Sequence, residues 1–443
     1  MSPRRRTSCR ETLKYLFGLE KLGIRPGLER ISRLLSFLDN PHLKYPSVVI
    51  GGTNGKGSTA AMTESILREA GFTTGLYTSP HLNRFNERIR VSGREITDGE
   101  VVGLTSIIRS IIEDYRGGFP EMPSFFEFTT AMAFEHFRRK KVDLAVCEVG
   151  MGGRWDAVNV LTPEVSVITG VSLDHIQYLG TSIGKIAFEK AGIIKGAVPC
   201  VIGVRDASAL KVIKKEAAEK KTNLYVIGRD FRVEPSMKGF DYHGAGELGR
   251  LKGLRVNLRG AHQLGNAACA LKAIEVLRSR HYPITAGAIR KGLERVSWPG
   301  RFEVLRKKPT VVVDCAHNPE GAWALARALK ELGCARIILV LGVMADKDID
   351  GIFSALLPLA HAVVLTRPLY TRSAGVELLR EKLVGRKGGY AGEVVARERV
   401  SCACDEAMAL AGENGAVCVT GSIFTVAEAR DYLLKNLRAA AGR

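Results

Sequence analysis

Val48-Val49-Ile50-Gly51-Gly52-Thr53-Asn54-Gly55-Lys56-Gly57-Ser58-Thr59 runs from an apolar strand, through a glycine-rich turn, into a helical stretch over 60–70. Strand, glycine loop and helix in that order make the geometry that cradles phosphate. Glycines let backbone N–H groups turn inward, the helix start adds a positive partial charge, Lys56 adds a full one, and a hydroxyl can hold Mg²⁺. ATP is therefore the first ligand the sequence suggests. The loop is not the common P-loop, which has Gly six residues before the lysine and Ser or Thr directly after it. Here Ile50 takes the first of those places and Gly57 the second, and the hydroxyls move to Ser58 and Thr59. The plainer alternative is a glycine turn between strand and helix that binds nothing.

A chain of 443 residues is long for one core, so more than one domain is expected. A hydrophobic share of 46% with 25% charged residues is that of a water-soluble globular protein. The longest apolar runs, such as Ile337-Ile338-Leu339-Val340-Leu341, suit buried strands and are too short to span a bilayer. Met1-Ser2-Pro3-Arg4-Arg5-Arg6 is basic but no apolar segment follows, which suggests a frayed tail and no secretory signal. The nine cysteines are scattered, with no paired Cys-x-x-Cys set. Reduced thiols in a cytoplasmic protein are expected, and a zinc site is not. The net charge of +19 suits nucleic acid, an anionic membrane or small anionic substrates. Basic residues are spread along the chain without an aromatic platform for stacked bases, so nucleic acid and membrane are not expected partners.

Outward from the loop, helices are expected over 11–40 and strands near 74–77, 143–149, 165–169 and 198–202. A polar loop is expected over 78–90, with helices at 98–115, 125–139 and 182–194. Nearly all-apolar strands alternating with helices indicate a parallel sheet covered on both faces. Residues 223–260 read as short strands and turns, followed by helices 263–279 and 285–295. Trp298-Pro299-Gly300 breaks the pattern, and a fresh alternation runs from Val311 to the C-terminus. The fold class is therefore α/β. A P-loop parallel-sheet ATP-binding domain (1–298, with N-terminal helices) is joined to a smaller Rossmann-like α/β domain (299–443). Ligands of such sheets sit at the carboxyl ends of strands, and two such domains invite a cleft.

Polar residues at expected strand ends are the chemical candidates. Glu148 ends an apolar strand and precedes Gly150-Met151-Gly152-Gly153-Arg154, and His175 follows the strand after it. Together they suit a divalent ion that also keeps waters and phosphates; taken singly, a solvated carboxylate and a capping or core histidine would explain them. Asp314 and His317 lie on a strand-to-helix turn. Asp314 suits ribose hydroxyls, and His317 suits phosphate or proton transfer. The alternative is a turn with Asn318 as N-cap before Pro319. Arg301 reaches phosphate or is a surface arginine. Lys190, near a helix end, reads by itself as a solvated charge.

Gly52-Thr53-Asn54-Gly55-Lys56-Gly57-Ser58, Ser79-Pro80-His81-Leu82, Glu148 to Arg154, Leu173-Asp174-His175, Glu189-Lys190-Ala191-Gly192, Asn266-Ala267-Ala268, Pro299-Gly300-Arg301 and Asp314-Cys315-Ala316-His317-Asn318-Pro319 occur in one order. In that order and spacing, from about Leu16 to about Leu434, the chain resembles folylpolyglutamate synthase/dihydrofolate synthase, the folate branch of the Mur ligase superfamily. The resemblance implies that Thr53, Asn54, Gly55, Lys56, Gly57 and Ser58 bind ATP, with Asn266, Arg301 and Asp314 also on the nucleotide. It implies Ser58, Ser79 and Glu148 around one Mg²⁺, and Glu148, His175 and a carbamylated Lys190 around a second. Lys56, Lys190 and His317 would serve catalysis, and Phe126, Arg154 and Asp156 the pterin or folate pocket. Cys315 and Trp155 stand where the family has glycine and leucine.

The implied reaction activates a carboxylate by γ-phosphoryl transfer and then joins it to the amine of L-glutamate. The acids would be dihydropteroate and the γ-carboxylate of folates, tetrahydrofolates among them. A cytoplasmic monomer is expected. Three other readings compete: a cell-wall Mur ligase, for which a nucleotide-sugar domain would be needed before the loop; a P-loop kinase; and a nucleic-acid-stimulated ATPase.

Overall fold

Buried apolar runs become parallel strands here, and charged ones become edges. In the computed structural model, which describes residues 8–23, 25–114, 121–246, 248–386 and 389–441, the chain divides into two compact units. The first takes the chain up to Val256 and Gly265–Val296, and the second takes Asn257–Leu264 and Ser297–Arg443. The basic start Met1 to Arg6 lies outside the described residues.

The first unit holds β1 (Ser47–Gly51), β2 (Thr74–Tyr77), β3 (Ile89–Val91), β4 (Arg94–Glu95), β5 (Leu144–Glu148), β6 (Val165–Ile168), β7 (Cys200–Ile202) and β8 (Leu224–Val226). They form one sheet in the order β4-β3-β2-β5-β1-β6-β7-β8. From β2 to β8 the neighbours are parallel, while β3 and β4 add an antiparallel edge. All residues of β1, β5 and β6 are buried. β9 (Phe231–Ser236), β10 (Gly239–Gly244) and β11 (Arg250–Leu254) form a separate antiparallel sheet. It is tied to helix His262–Ser279 by the buried Glu275, which accepts from the Tyr242 hydroxyl (2.9 Å) and from Lys272 (2.8 Å).

The second unit contains β12 (Glu303–Lys307), β13 (Thr310–Val313), β14 (Ile337–Leu341), β15 (Ala362–Thr366), β16 (Glu393–Arg397) and β17 (Ala416–Thr420). Their order is β12-β13-β17-β14-β15-β16, parallel except for β12. The α/β class expected of both halves is thus observed. No helix among the described residues is long and apolar enough to cross a membrane.

Helices 98–115 and 125–139 are found as Asp98–Asp114 and Phe125–Arg139. Three elements depart from expectation. The supposed polar loop over 78–90 ends in the β3–β4 hairpin, whose strands are short and charge-rich. Another, helix Ala207–Glu219, overlaps the lysine-rich run Lys211 to Lys221, whose charges read as solvated helix ends and faces but for which no helix bounds were expected. β12 carries Glu303, Arg306 and Lys307, as an exposed edge strand does, so it lacks the apolar signature of its neighbours.

The helix that follows the glycine loop, Lys56–Glu69, is buried from Gly57 to Leu67. Its polar side chains are satisfied inside. Ser65 Oγ donates to the Gly292 carbonyl (2.8 Å), and Glu64 accepts from Thr74 Oγ1 (2.6 Å) and Arg68 Nε (3.2 Å). Helix Ala286–Arg295 lies against it so closely that a Cβ on Gly292 would stand 2.5 Å from Ile66 Cα. Gly287, in the same helix, would meet only Thr285 Oγ1 at 3.7 Å. Gly292→Ala is expected to destabilise by about 1–3 kcal/mol through overpacking, more than the roughly 0.5–1 kcal/mol gained in helix propensity. Gly287→Ala is expected to raise stability by that smaller amount. Thermal unfolding of the two variants checks the pair, and equal midpoints would contradict the close helix contact.

Candidate active site

Sheet order does the assembling. β2, β5, β1 and β6 are consecutive neighbours, so the segments leaving their carboxyl ends lie side by side. Those segments carry Ser79 after β2, Glu148 at the end of β5, the glycine loop after β1 and His175 after β6. Register makes this concrete: Ile50 pairs with Glu148 on one side and Val167 on the other.

The loop is clamped by its neighbour. Thr53 N–H donates to the Gly170 carbonyl (2.9 Å), Ser172 N–H donates to Thr53 Oγ1 (3.1 Å), and Thr169 Oγ1 donates to the Asn54 carbonyl (2.6 Å). Two positions demand glycine. Gly52 (φ 138°) leaves no room for a Cβ against Thr169, and Gly55 (φ 85°) none against the Asn266 amide. Asn266 therefore sits directly on the loop. Ser172 Oγ and Thr59 Oγ1 are buried with no hydrogen-bond partner among the described residues.

Two lysines meet on one oxygen. Lys56 Nζ donates to the carbonyls of Gly52 (3.2 Å) and Thr53 (3.1 Å), and Lys190 Nζ donates to the same Gly52 carbonyl (2.9 Å). Lys190 is not the solvated helix-end charge that its local sequence suggested; it is 3% exposed. Burial, reinforced by the charge of Lys56, pulls its pKa down to about 7. Near neutrality a substantial fraction of this amine is therefore unprotonated and nucleophilic.

Ser58 and Glu148 are buried, and Ser79 N–H donates to Glu148 Oε2 (3.3 Å). His175 stands in the left-handed region (φ 50°), its N–H bonded to Asp174 Oδ1 (2.8 Å). No group of three or more His, Cys, Asp and Glu able to hold a metal occurs among the described residues. A nitrogen- and sulfur-rich centre is therefore absent from them. One carboxylate, serine hydroxyls and an imidazole around a phosphate loop fit Mg²⁺, which draws much of its coordination from water and phosphate.

Phe126 and Asp156 come together at Gly150: a Cβ there would stand 2.7 Å from the Phe126 ring and 3.2 Å from Asp156 Oδ2. Asp156 accepts from the N–H groups of Met151 and Val158 (3.0 Å each). Burial still raises its pKa to about 6. The Arg154 side chain goes elsewhere. Its Nη2 donates to Glu216 Oε2 (2.8 Å), and its guanidinium lies 3.9 Å from the Phe188 ring centroid. Trp155 is half exposed. Sequence reasoning missed a neighbouring cluster: Phe17, His81, Phe85 and Phe125 have ring contacts among them, and Arg88 lies buried against Phe125. The interleaved His81, Phe85 and Arg88 within a presumed loop were the available signal.

In the second unit Asp314 follows β13. Its carboxylate accepts from Phe302 N–H (2.8 Å) and Ala316 N–H (2.9 Å), so it shapes the turn. His317 Nδ1–H donates to the Cys315 carbonyl (2.9 Å), which makes Nε2 the acceptor nitrogen. Asn318 caps helix Pro319–Lys330, as the alternative reading of this turn required. Cys315 has no positive φ, so glycine is not needed there. Arg301 is half-buried.

Family profiles described as Mur ligase middle domain and Mur ligase, glutamate ligase domain match residues 50–274 and 300–423. The dihydrofolate synthase/folylpolyglutamate synthase of Bacillus subtilis is 35% identical over 96% of this chain and 99% of its own length. A Haloferax volcanii protein described as a probable bifunctional folylpolyglutamate synthase/dihydropteroate synthase is 38% identical over 95% of this chain, which spans only 50% of that protein. The crystal structure of the Yersinia pestis bifunctional folylpolyglutamate synthase/dihydrofolate synthase complexed with AMPPNP and a Mn ion superposes with a TM-score of 0.85 at 32% identity, covering 100% of both chains.

The Lys190 environment has a pH signature. A lysine whose pKa falls from 10.5 to about 7 on folding binds fewer protons folded than unfolded across that window. Stability therefore rises with pH there, by up to about 1.4 kcal/mol per unit, and the burial cost is largest below it. In CO₂-free buffer, wild type is expected to gain stability relative to Lys190→Met as pH rises from 7 to 10. Urea unfolding measures this, and a pH-independent difference would contradict it.

Proposed function

The chain belongs to the folylpolyglutamate synthase/dihydrofolate synthase family of the Mur ligases, and on that premise we propose that it is an ATP-dependent ligase joining L-glutamate to dihydropteroate and to the γ-carboxylate of folates. The observation that carries the reading is the convergence of Lys56 and Lys190 on the Gly52 carbonyl, in the loop that Asn266 abuts at Gly55. Lys56 at the first turn of the helix, next to a loop whose Gly52 and Gly55 take positive φ, calls for a polyanion such as the triphosphate of ATP.

Thr53 to Ser58 and Asn266 are assigned to the nucleotide, together with Arg301 and Asp314 from the second unit. Ser58, Ser79 and Glu148 would hold one Mg²⁺, and Glu148 and His175 would share a second with Lys190. An ammonium cannot ligate a cation, so the second site requires chemistry at Lys190. Its unprotonated amine adds to CO₂, forming an N–C bond and losing a proton, and the resulting carbamate is an anionic oxygen donor. The low pKa of this amine and the serine-plus-carboxylate donor set support the assignment. The metal's contribution is charge neutralisation on the phosphates in transit.

In the reaction an oxygen of the acid substrate attacks the γ-phosphorus, the bridge to the β-phosphate breaks, and ADP leaves. Lys56 and the loop N–H groups offset the charge that builds on the transferring group. The amine of glutamate then attacks the acyl carbon and phosphate departs. His317 Nε2, an acceptor because Nδ1 is committed to the Cys315 carbonyl, is suited to take the amine's proton. Phe126 and Asp156 would receive the pterin. Arg154, engaged with Glu216 and Phe188, is not assigned to hold the pterin directly. The protein would work as a cytoplasmic monomer on small molecules alone.

Given ATP, Mg²⁺, L-glutamate and either dihydropteroate or tetrahydrofolate, the purified chain is expected to release ADP together with a conjugate longer by one glutamate, read by mass spectrometry. Glu148→Ala and His175→Ala should each lower turnover roughly a hundred-fold or more. Lys190→Ala should fall comparably and regain part of its activity in acetate. Near-normal ligation by both metal-site variants would remove the assignment, and ADP without a conjugate would remove the ligase.

A further inference from the structure

Arg88 is a buried cation for which the roles above leave no use. It closes the short helical turn Phe85–Arg88 and is 6% exposed. Its Nε donates to His81 Nδ1 (2.8 Å), the one hydrogen bond its side chain makes among the described residues, and its guanidinium lies 5.1 Å from the Phe125 ring centroid. No carboxylate among the described residues comes within ion-pair distance of it. The adjacent Glu87 is already spent, accepting from the N–H groups of Leu82, Asn83 and Arg84. Glu20 and Glu148 act on Arg88 only from farther off, and burial lowers its pKa without discharging it. A charge buried without a counter-ion is costly and is retained where something supplies the missing partner.

Its surroundings indicate what that partner is. Thr78 N–H donates to the Arg88 carbonyl (3.0 Å), which ties Arg88 to the segment carrying Ser79, and Ser79 N–H in turn donates to Glu148. On the other side, Phe125 precedes Phe126, the ring that lies with Asp156 against Gly150. Arg88 thus has the metal-site carboxylate on one side and the aromatic pterin wall on the other. The head of an acid substrate would occupy that wall, and its carboxylate would have to point toward Glu148 to reach phosphate.

We propose that Arg88 receives the carboxylate of the aromatic acid substrate and that His81 is a positioning residue holding the guanidinium in place. The proposal rests on the ligase reading. A planar guanidinium fork matches a carboxylate and tolerates a lysine substitute poorly.

The test is calorimetric binding, in the presence of ADP, of dihydropteroate and of its analogue with a carboxamide in place of the carboxylate. Wild type should prefer the acid by roughly ten- to a hundred-fold, the range of charge-assisted hydrogen bonds. Arg88→Gln should bind both at about the wild-type amide affinity while ADP binding is unchanged. His81→Leu should lose part of the preference, and His81→Asn, whose Oδ1 replaces Nδ1 as acceptor, should recover it. Retention of the preference by Arg88→Gln, or equal loss of acid and amide with ADP binding intact, would overturn the proposal. So would a wild type that binds acid and amide equally, a result that does not depend on any variant folding. A wild type that ligates but shows no preference sinks only Arg88, whereas a wild type that neither binds pterin nor ligates sinks the ligase reading.

Discussion

Two lysine amines, that of Lys190 buried and that of Lys56 partly so, converge on one carbonyl oxygen, that of Gly52, and the chemistry of the first unit follows from that crowding. Like charges so close in a low-dielectric setting repel strongly. The strain can be relieved in two ways: one amine gives up its proton, or a polyanion arrives. Lys190, the more deeply buried, is driven toward the neutral amine. Lys56, at the first turn of the helix, keeps its place beside the loop N–H groups. One site thereby acquires both a nucleophilic amine and a phosphate-binding cation from the same residue type, separated by environment alone.

That arrangement exists only because of the sheet. The segments carrying residues 53, 79, 148 and 175 are far apart in sequence and leave the sheet side by side because β2, β5, β1 and β6 are parallel neighbours with their carboxyl ends together. The demands on the backbone are equally specific. Gly52 must let Thr169 approach, and Gly55 must let Asn266 approach, so neither position accepts a side chain. Behind them, helix Lys56–Glu69 is held by the close passage of helix Ala286–Arg295 at Ile66.

Much of this was legible in the sequence for a physical reason. A parallel strand buried on both faces must be nearly all apolar, so β1, β5, β6, β14 and β15 announce themselves. The hairpin strands β3 and β4 are short, β4 and β12 lie at sheet edges, and all three carry charges, so their local sequence is that of a loop. The glycine loop, the Asn318 cap and the helices 98–115 and 125–139 have strong local signals and were found. Lys190 was not legible from its neighbours, because a lysine near a helix end looks the same whether it faces solvent or a sheet edge; only resemblance pointed to it. Arg88 was missed because what makes it unusual is a missing partner, a property of space and not of sequence. The direction taken by Arg154 was likewise set by Phe188 and Glu216, remote in the chain.

The central claim is that the site activates a carboxylate by passing phosphate to it before the amine attacks. The most direct measurement follows oxygen. With the acid substrate labelled with ¹⁸O in its carboxylate and supplied with ATP, Mg²⁺ and L-glutamate, the account predicts one ¹⁸O in each phosphate released, matching the amide formed. Unlabelled phosphate accompanying a labelled conjugate would contradict it.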